Sequence, residues 1–348
     1  MRIGVIPERM ADRLALHSRR FPHPLFDVMG TMLLSRAVMA GVYFRVFDRL
    51  AGGPKTGAAL AAEAGCNPHG MRLLLDALVA CRYLERADDR YRNAPLAAHW
   101  LLSEAPRTLA NFVRFNYDQW NWVSQLEEFI ERGEARDIHA KLSDAEWRNY
   151  MFGLRDLATL SAEEVAAKLK LGAPPRSLLD VGGGHSHYAI TLCRHYAGLR
   201  ATVVDLEPAA RIGQELVARA GLSDRIEFRT GHLAETPFGR NHDVAFIFNV
   251  LHHLDEETCL ATLHRLQAAL APAGTLVIAE TFRQDRERMR RDQLGSLMAL
   301  FFGVTSRRET YEFEQVAGWV REVGFGQVRR QKLRSAPFAT LLVATKEG

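Results

Sequence analysis

The 348-residue chain predicts an α/β protein, a mostly parallel, doubly wound sheet behind a mainly helical N-terminal region. Three observations predict it. Residues 177–181 form a short apolar run that meets Gly182, Gly183 and Gly184 before a helical pattern resumes near Tyr188, which reads as strand, tight turn and helix. Strand and helix patterns then alternate to the C-terminus, the signature of a parallel sheet with helices on both faces. Ahead of this lie two short helical patterns and a small hairpin, which together describe a winged-helix unit.

Taken in order, residues 1–22 are polar and read as an arm or a frayed helix. From Pro24 to Leu50 one helix is expected, with a broad apolar face through Leu25, Met29, Met32, Leu33 and Val42, ended by Gly52-Gly53-Pro54. A stripe that wide exceeds what one small domain needs and points to subunit contact. Helices over 56–65 and 68–81 follow, then strands either side of Asp88-Asp89. Helical patterns resume at 94–102, 107–132 and 146–171. The 107–132 stretch carries Phe112, Phe115, Tyr117, Trp120 and Trp122; such clustered aromatics fit a core, and also fit a share in a substrate pocket. Gly172-Ala-Pro-Pro175 marks a boundary. Strands are expected at 177–181, 201–205, 225–229, 243–248 and 275–279, alternating with helices, and the tail reads as a hairpin over 327–333 and 337–345. The expected domains are therefore 1–106 for the winged-helix part, 107–171 for a helical linker contributing to a substrate pocket, and 172–348 for the α/β domain.

Composition bounds the function. Hydrophobic residues make up 47% and the formal net charge is +4, ordinary for a globular protein. Basic residues cluster only at 286–291 and at Arg307-Arg308. The second helix of the winged-helix unit carries His69, Arg72 and Asp76, not a basic recognition surface, so nucleic acid is not the expected partner. Cys66, Cys81, Cys193 and Cys259 have no CxxC spacing, which suits a reducing compartment. With no signal-like N-terminus and no apolar run of membrane-span length, the expected place is the cytoplasm.

The chemistry gathers at the strand ends. Asp180 closes the first strand of the α/β domain and Asp205 the second. An acid at the second position is placed to bond ribose hydroxyls, so a nucleoside-containing cofactor is expected. A dinucleotide pattern would want a third glycine where His187 stands. His185 and His187 fit capping or surface roles, and nothing supplies further ligands for a metal.

Asp180-Val-Gly-Gly-Gly184, Asp205-Leu206, Asn249-Val-Leu-His-His-Leu-Asp-Glu256, Leu270-Ala-Pro-Ala-Gly274 and Val277-Ile-Ala-Glu280 resemble the ordered motifs of the S-adenosylmethionine-dependent small-molecule O-methyltransferases of plant caffeate and bacterial polyketide-tailoring type. Leu60-Ala-Ala-Glu-Ala-Gly65, Arg72-Leu-Leu-Leu-Asp-Ala-Leu78 and Tyr91-Arg-Asn-Ala-Pro-Leu96 resemble that family's winged-helix dimerisation domain. The resemblance covers nearly all of the chain after residue 30. It implies a class I Rossmann-like catalytic domain, a homodimer formed through the N-terminal domain, S-adenosyl-L-methionine as cofactor with S-adenosyl-L-homocysteine as product, and a small-molecule acceptor. It further implies His252 as general base, with Glu280 orienting it and Glu309 as a second carboxylate. Asp180, Gly182, Gly184, Asp205, Leu206, His232 and Asn249 fall at cofactor-binding positions. Phe115, Trp120, Met298 and Phe302 are candidates for the acceptor pocket.

Two residues depart from the family pattern. Ser186 stands where the glycine loop usually ends in glycine, and His232 stands where an acid bonds the adenine amino group; a neutral imidazole nitrogen can accept one such bond. Two alternatives stay open. One is N- or C-methylation, or a non-methylating S-adenosylmethionine-dependent reaction such as hydroxylation, decarboxylation or ring rearrangement. The other is a non-enzymatic winged-helix regulator.

Overall fold

A computed structural model describes residues 5–7, 9–18, 21–134, 138–169, 171, 173–283, 292–306, 308, 310–336 and 338–347. Glu309, Arg307 and the basic run 286–291 lie outside them. The chain divides into two compact units, Met1–Tyr117 and Asp118–Gly348.

In the first unit, Met10–His17 is helical within the arm. The long helix expected from Pro24 to Leu50 is broken instead. Helical residues His23–Leu25 pass through a π-helical turn, Phe26–Gly30, into the helix Thr31–Tyr43, and Val46–Arg49 forms a separate turn. The break falls at Arg45, whose φ of 53° is left-handed. Reversal there brings the Phe47 ring back onto Gly41, so close that a Cβ on Gly41 would lie 2.9 Å from Phe47 Cε2. Packing at the far end of the stripe therefore overrides helical periodicity. The segment His23–Tyr43 does have the length and hydropathy of a membrane span, contrary to the sequence expectation, with 22% of its most apolar window buried.

The winged-helix unit follows its local signals. Thr56 Oγ1 caps the helix Gly57–Ala64 by accepting from Ala59 N–H, and Asn67 caps Pro68–Ala80 by accepting from His69 and Gly70. Strands β2 (Leu84–Ala87) and β3 (Arg90–Asn93) turn at Asp88-Asp89, and β1 (Lys55–Thr56) pairs with β3. Asp76 binds Arg72 at 3.0 Å, Arg86 at 3.3 Å and Tyr91 Oη at 2.8 Å, so the second helix is tied to the hairpin by charge.

The second unit holds β4 (Ser177–Val181), β5 (Arg200–Asp205), β6 (Ile226–Thr230), β7 (His242–Phe248), β8 (Leu270–Glu280), β9 (Phe325–Lys332) and β10 (Thr340–Lys346). Their order in the sheet is β6-β5-β4-β7-β8-β10-β9. The first five are parallel, and β10 runs antiparallel to both of its neighbours. Alternate residues feed two cores. Ala245, Ile247, Leu276 and Ile278 face the helices Glu256–Ala269 and Phe313–Glu322, while Val244, Phe246, Phe248 and Val277 face His187–His195 and the end of Asp144–Lys168. Strand order reverses between β4 and β7, the point at which open sheets of this kind leave a crevice at their carboxyl ends.

The loop after β4 is held by close backbone packing. A Cβ on Gly213, in the helix Glu207–Arg219, would sit 2.1 Å from the carbonyl oxygen of Gly184 and 2.7 Å from Phe228. Gly213→Ala must push helix and loop apart, and it is expected to destabilise the protein by about 2 kcal/mol. Urea denaturation measures this, and an unchanged midpoint would show that loop and helix can part freely.

Candidate active site

At the end of β4 the loop admits no side chains. Gly182 has φ of 73°, and a Cβ there would lie 2.3 Å from Val250 Cγ2. On Gly183 a Cβ would lie 2.4 Å from the Asp180 carboxyl carbon, and on Gly184 it would meet Asp205 Oδ2 and Met151 Sδ at 2.8 Å. The loop is thus packed directly against Val250, the two strand-end acids and Met151, a closeness only glycine permits. Ser186 takes the left-handed conformation at φ 54° that glycine would adopt freely. A non-glycine residue costs roughly 1–2 kcal/mol there, but the loop keeps its shape and Ser186 is fully buried.

Two acids line this cradle. Asp205 accepts Gly184 N–H at 2.8 Å through Oδ2 and Leu206 N–H at 2.7 Å through Oδ1. Burial raises its pKa to about 6 against the pull of those two bonds. Asp180 is buried with Oδ2 unpartnered, and burial, then repulsion from Asp205, raises it to about 7. A buried acid left this short of donors, as Asp180 is, is poised for a ligand that brings hydroxyl or ammonium groups. His185 Nδ1 accepts His187 N–H at 3.1 Å, the capping role expected of it, and burial pushes the two rings down to about 3 and about 4.

His232 corrects one expectation. The ring is exposed, and its Nδ1 accepts Ala234 N–H at 3.3 Å. In the neutral ring the other nitrogen then carries the proton, so His232 offers a ligand a donor, not an acceptor. Asn249 is exposed with φ of 54°, a conformation asparagine tolerates well, and its N–H donates to Ala279 O at 2.8 Å.

Beyond β7 the turn Leu251–His253 carries the second constellation. Glu280, the last residue of β8, accepts the N–H groups of Val250 at 2.9 Å and Leu251 at 2.8 Å through Oε1. Its Oε2 lies 2.8 Å from His252 Nδ1. A carboxylate oxygen can only accept, so the ring proton sits on Nδ1 and the lone pair on Nε2. Both side chains are buried, and the Phe302 ring stacks on His252 at 3.9 Å.

Of the remaining candidates, Leu206 packs beside Trp147 and Met151. Met298 lies half-buried on the helix Gln293–Ser306. Phe115 is buried in the first unit, and Trp120 is 40% exposed in the second. Three residues escaped sequence reasoning. Tyr150, Met151 and Arg155, on the helix Asp144–Lys168, reach Asp205, Gly184 and the pair His185/His187 respectively, through contact or charge. That stretch carried a helical pattern and no motif. His139 also went unnoticed, although its ring lies 4.8 Å from His253.

A doubly wound sheet with a glycine cradle, two strand-end acids and a buried imidazole–carboxylate pair fits an enzyme that binds a nucleoside cofactor. The chain belongs to the O-methyltransferase family: the O-methyltransferase domain profile matches residues 109–325 and the O-methyltransferase dimerisation domain profile matches residues 26–103. It is 27% identical over 334 residues to a 3-hydroxy-5-methyl-1-naphthoate 3-O-methyltransferase of Streptomyces sahachiroi, spanning 93% of this chain and 94% of that one. It is 26% identical over 324 residues to an N,N-dimethyltransferase of Streptomyces rimosus, spanning 90% and 93%. The crystal structure of human N-acetylserotonin methyltransferase in complex with S-adenosylmethionine superposes with a TM-score of 0.83 at 21% identity, over 98% of this chain and 99% of that one. The enzyme is thus an S-adenosylmethionine-dependent O-methyltransferase. Its cradle suits that cofactor, since the buried Asp180 Oδ2 lacks a partner.

The acids make stability depend on pH. Because the folded pKa of Asp180 is raised, its contribution to stability is full below the unfolded value and is lost as pH rises through about 7. Asp180→Asn is therefore expected to raise the stability of the ligand-free protein by on the order of 3 kcal/mol more near pH 8 than near pH 5, while weakening cofactor binding. Thermal melting at the two pH values checks it, and an equal shift at both would refute the ionisation account.

Proposed function

We propose that this enzyme methylates a hydroxyl on an aromatic or polyketide-like small molecule, with His252 as the general base. The observation carrying this reading is the 2.8 Å contact between His252 Nδ1 and a Glu280 carboxylate whose other oxygen is fixed by two backbone N–H groups. Cofactor, when bound, supplies an electrophilic methyl group. Gly182, Gly184, Asp180, Asp205, Leu206, Asn249 and His232 would hold it. The protein must then deliver an oxygen nucleophile. His252 Nε2 takes the hydroxyl proton, and Glu280 steadies the imidazolium and keeps the ring from turning. Phe302 covers one face of the ring and so confines the approach to Nε2. Transfer is otherwise a matter of alignment. Met298 and Trp120 remain candidate acceptor contacts, together with Phe115, and Glu309 remains the candidate second carboxylate.

The dimerisation-domain match at residues 26–103 and the exposed Leu25, Val28, Met29, Met32 and Leu33 support a homodimer formed through the first unit. A cytoplasmic biosynthetic role, in the manner of antibiotic tailoring, is part of the same reading. Functionally, residues 1–106 would serve assembly, 107–171 would join the acceptor pocket, and 172–348 would hold the cofactor.

Methyl transfer from S-adenosylmethionine to a panel of phenols tests the base. His252→Ala is expected to lower kcat by about 10²–10⁴-fold with little change in cofactor affinity. Glu280→Gln should fall almost as far. A glutamine whose oxygen keeps the two backbone bonds turns its NH2 toward Nδ1, forcing the proton onto Nε2 and removing the base. Full activity in both variants would overturn this reading. Activity on an amine that survives His252→Ala would favour N-methylation, the reaction named for the Streptomyces rimosus relative.

A further inference from the structure

His253 stands beside the base and takes no part in the proton transfer described above. Its Nδ1 is sealed from solvent and has no hydrogen-bond partner. The residue is otherwise only half-buried, which leaves Nε2 as the open nitrogen. Burial, followed by the nearby rings of His252 and His139, pushes its pKa well below the usual histidine value, so the ring is neutral in the working range. One nitrogen then carries the proton. An orphaned buried N–H is rarer and costlier than an orphaned acceptor, so the lone pair belongs on Nδ1 and the proton on Nε2. The two adjacent histidines thus carry opposite tautomers. His252 offers a lone pair at Nε2, and His253 offers an N–H.

Their rings lie 4.1 Å apart between centroids, and His253 is held edge-to-face by His139 at 4.8 Å, with an 80° interplanar angle, and by Phe302 at 6.4 Å. A side chain clamped between two rings, with an unmet donor next to the base, is placed to read the acceptor. Oxygens ortho or peri to one another on an arene stand about 2.5–3 Å apart, the span of a hydrogen bond.

We propose that His253 is a specificity-determining residue that donates an Nε2–H hydrogen bond to a second oxygen of the acceptor, ortho or peri to the hydroxyl whose proton His252 removes. The preferred substrates are accordingly arenes whose reacting hydroxyl is flanked by a carbonyl, carboxylate or second hydroxyl oxygen. This rests on the methyl-transfer reading above for the identity of the acceptor. It adds a binding requirement that the base alone does not impose.

The test compares 1,8-dihydroxynaphthalene, which has a peri oxygen, with 1-naphthol, which has none. Both are used with the full-length protein. With S-adenosylmethionine present, turnover is measured; with S-adenosylhomocysteine bound, affinity is measured by calorimetry. The expected preference for the diol is about tenfold, carried by KM and by Kd, the value of one satisfied hydrogen bond. In His253→Leu the ratio should fall to about one, and in His253→Gln, which keeps a donor, part of it should return. Cofactor affinity reports that each variant is folded. Nitrogen-15 NMR of the imidazoles should show His253 as the Nε2–H tautomer, perturbed by the diol and not by 1-naphthol. A wild-type ratio near one, a ratio that survives His253→Leu, or failure of both probes to bind would overturn the proposal. Selective diol binding without turnover would instead count against the methyl-transfer reading while His253 kept its role.

Discussion

The carboxylate of Glu280 is the interaction on which the catalytic end of the sheet depends. It closes β8, yet its hydrogen bonds run to the turn after β7, to Val250 N–H, Leu251 N–H and His252 Nδ1. One group therefore fixes the path of the turn, the orientation of the imidazole and its tautomer. All of this happens under burial, where a charged or polar group without its partner costs several kcal/mol. The pair is consequently held in one arrangement. The same turn sets Val250 against Gly182, where a Cβ would lie 2.3 Å from Val250 Cγ2. A displacement of this turn would be felt in the glycine loop.

That cradle is built against its own stability. Asp180 is buried beside the half-buried Asp205, both have raised pKa, and Asp180 keeps an oxygen unpartnered. Ser186 adds a left-handed backbone that glycine would accept at less cost. Such local strain persists because the surrounding strands over-determine it, with β5 and β7 pairing along both sides of β4. The strain is concentrated where a ligand can relieve it, which is the expected distribution for a binding site.

Much of this was legible in the sequence. The strands of the second unit show as apolar runs because both faces of the sheet are buried, and the glycine turn shows because nothing else can take its backbone. His252 and Glu280 were legible only through motif order. No periodicity or propensity links the two residues, because the contact is made by pairing β7 with β8 in one register. The break at Arg45 was not legible, since the apolar stripe continues unbroken through it while the ring of Phe47 folds back onto Gly41. Nor was the tautomer of His232, which depends on an Ala234 N–H two residues away rather than on the ligand. Burial of His253 Nδ1 without a partner is a property of the fold alone.

The helix Asp144–Lys168 lies against both groups of candidate residues. Met151 lies against Gly184, and the Tyr150 hydroxyl, whose acidity is lowered by burial and then by Asp205, stands 3.3 Å from His139 Nε2. The His139 ring in turn abuts His253, which abuts the base. A continuous line of packed rings thus runs from the acid expected to hold the cofactor's ribose to the groups expected to hold the acceptor. Alkyl transfer between two bound molecules is governed by the distance and angle between them, and an error of an ångström is costly. In the proposed reading, Tyr150 and Met151 on this helix and His139 ahead of it would help to set that distance. On that reading the strand ends would supply the chemistry, and this helix part of the spacing.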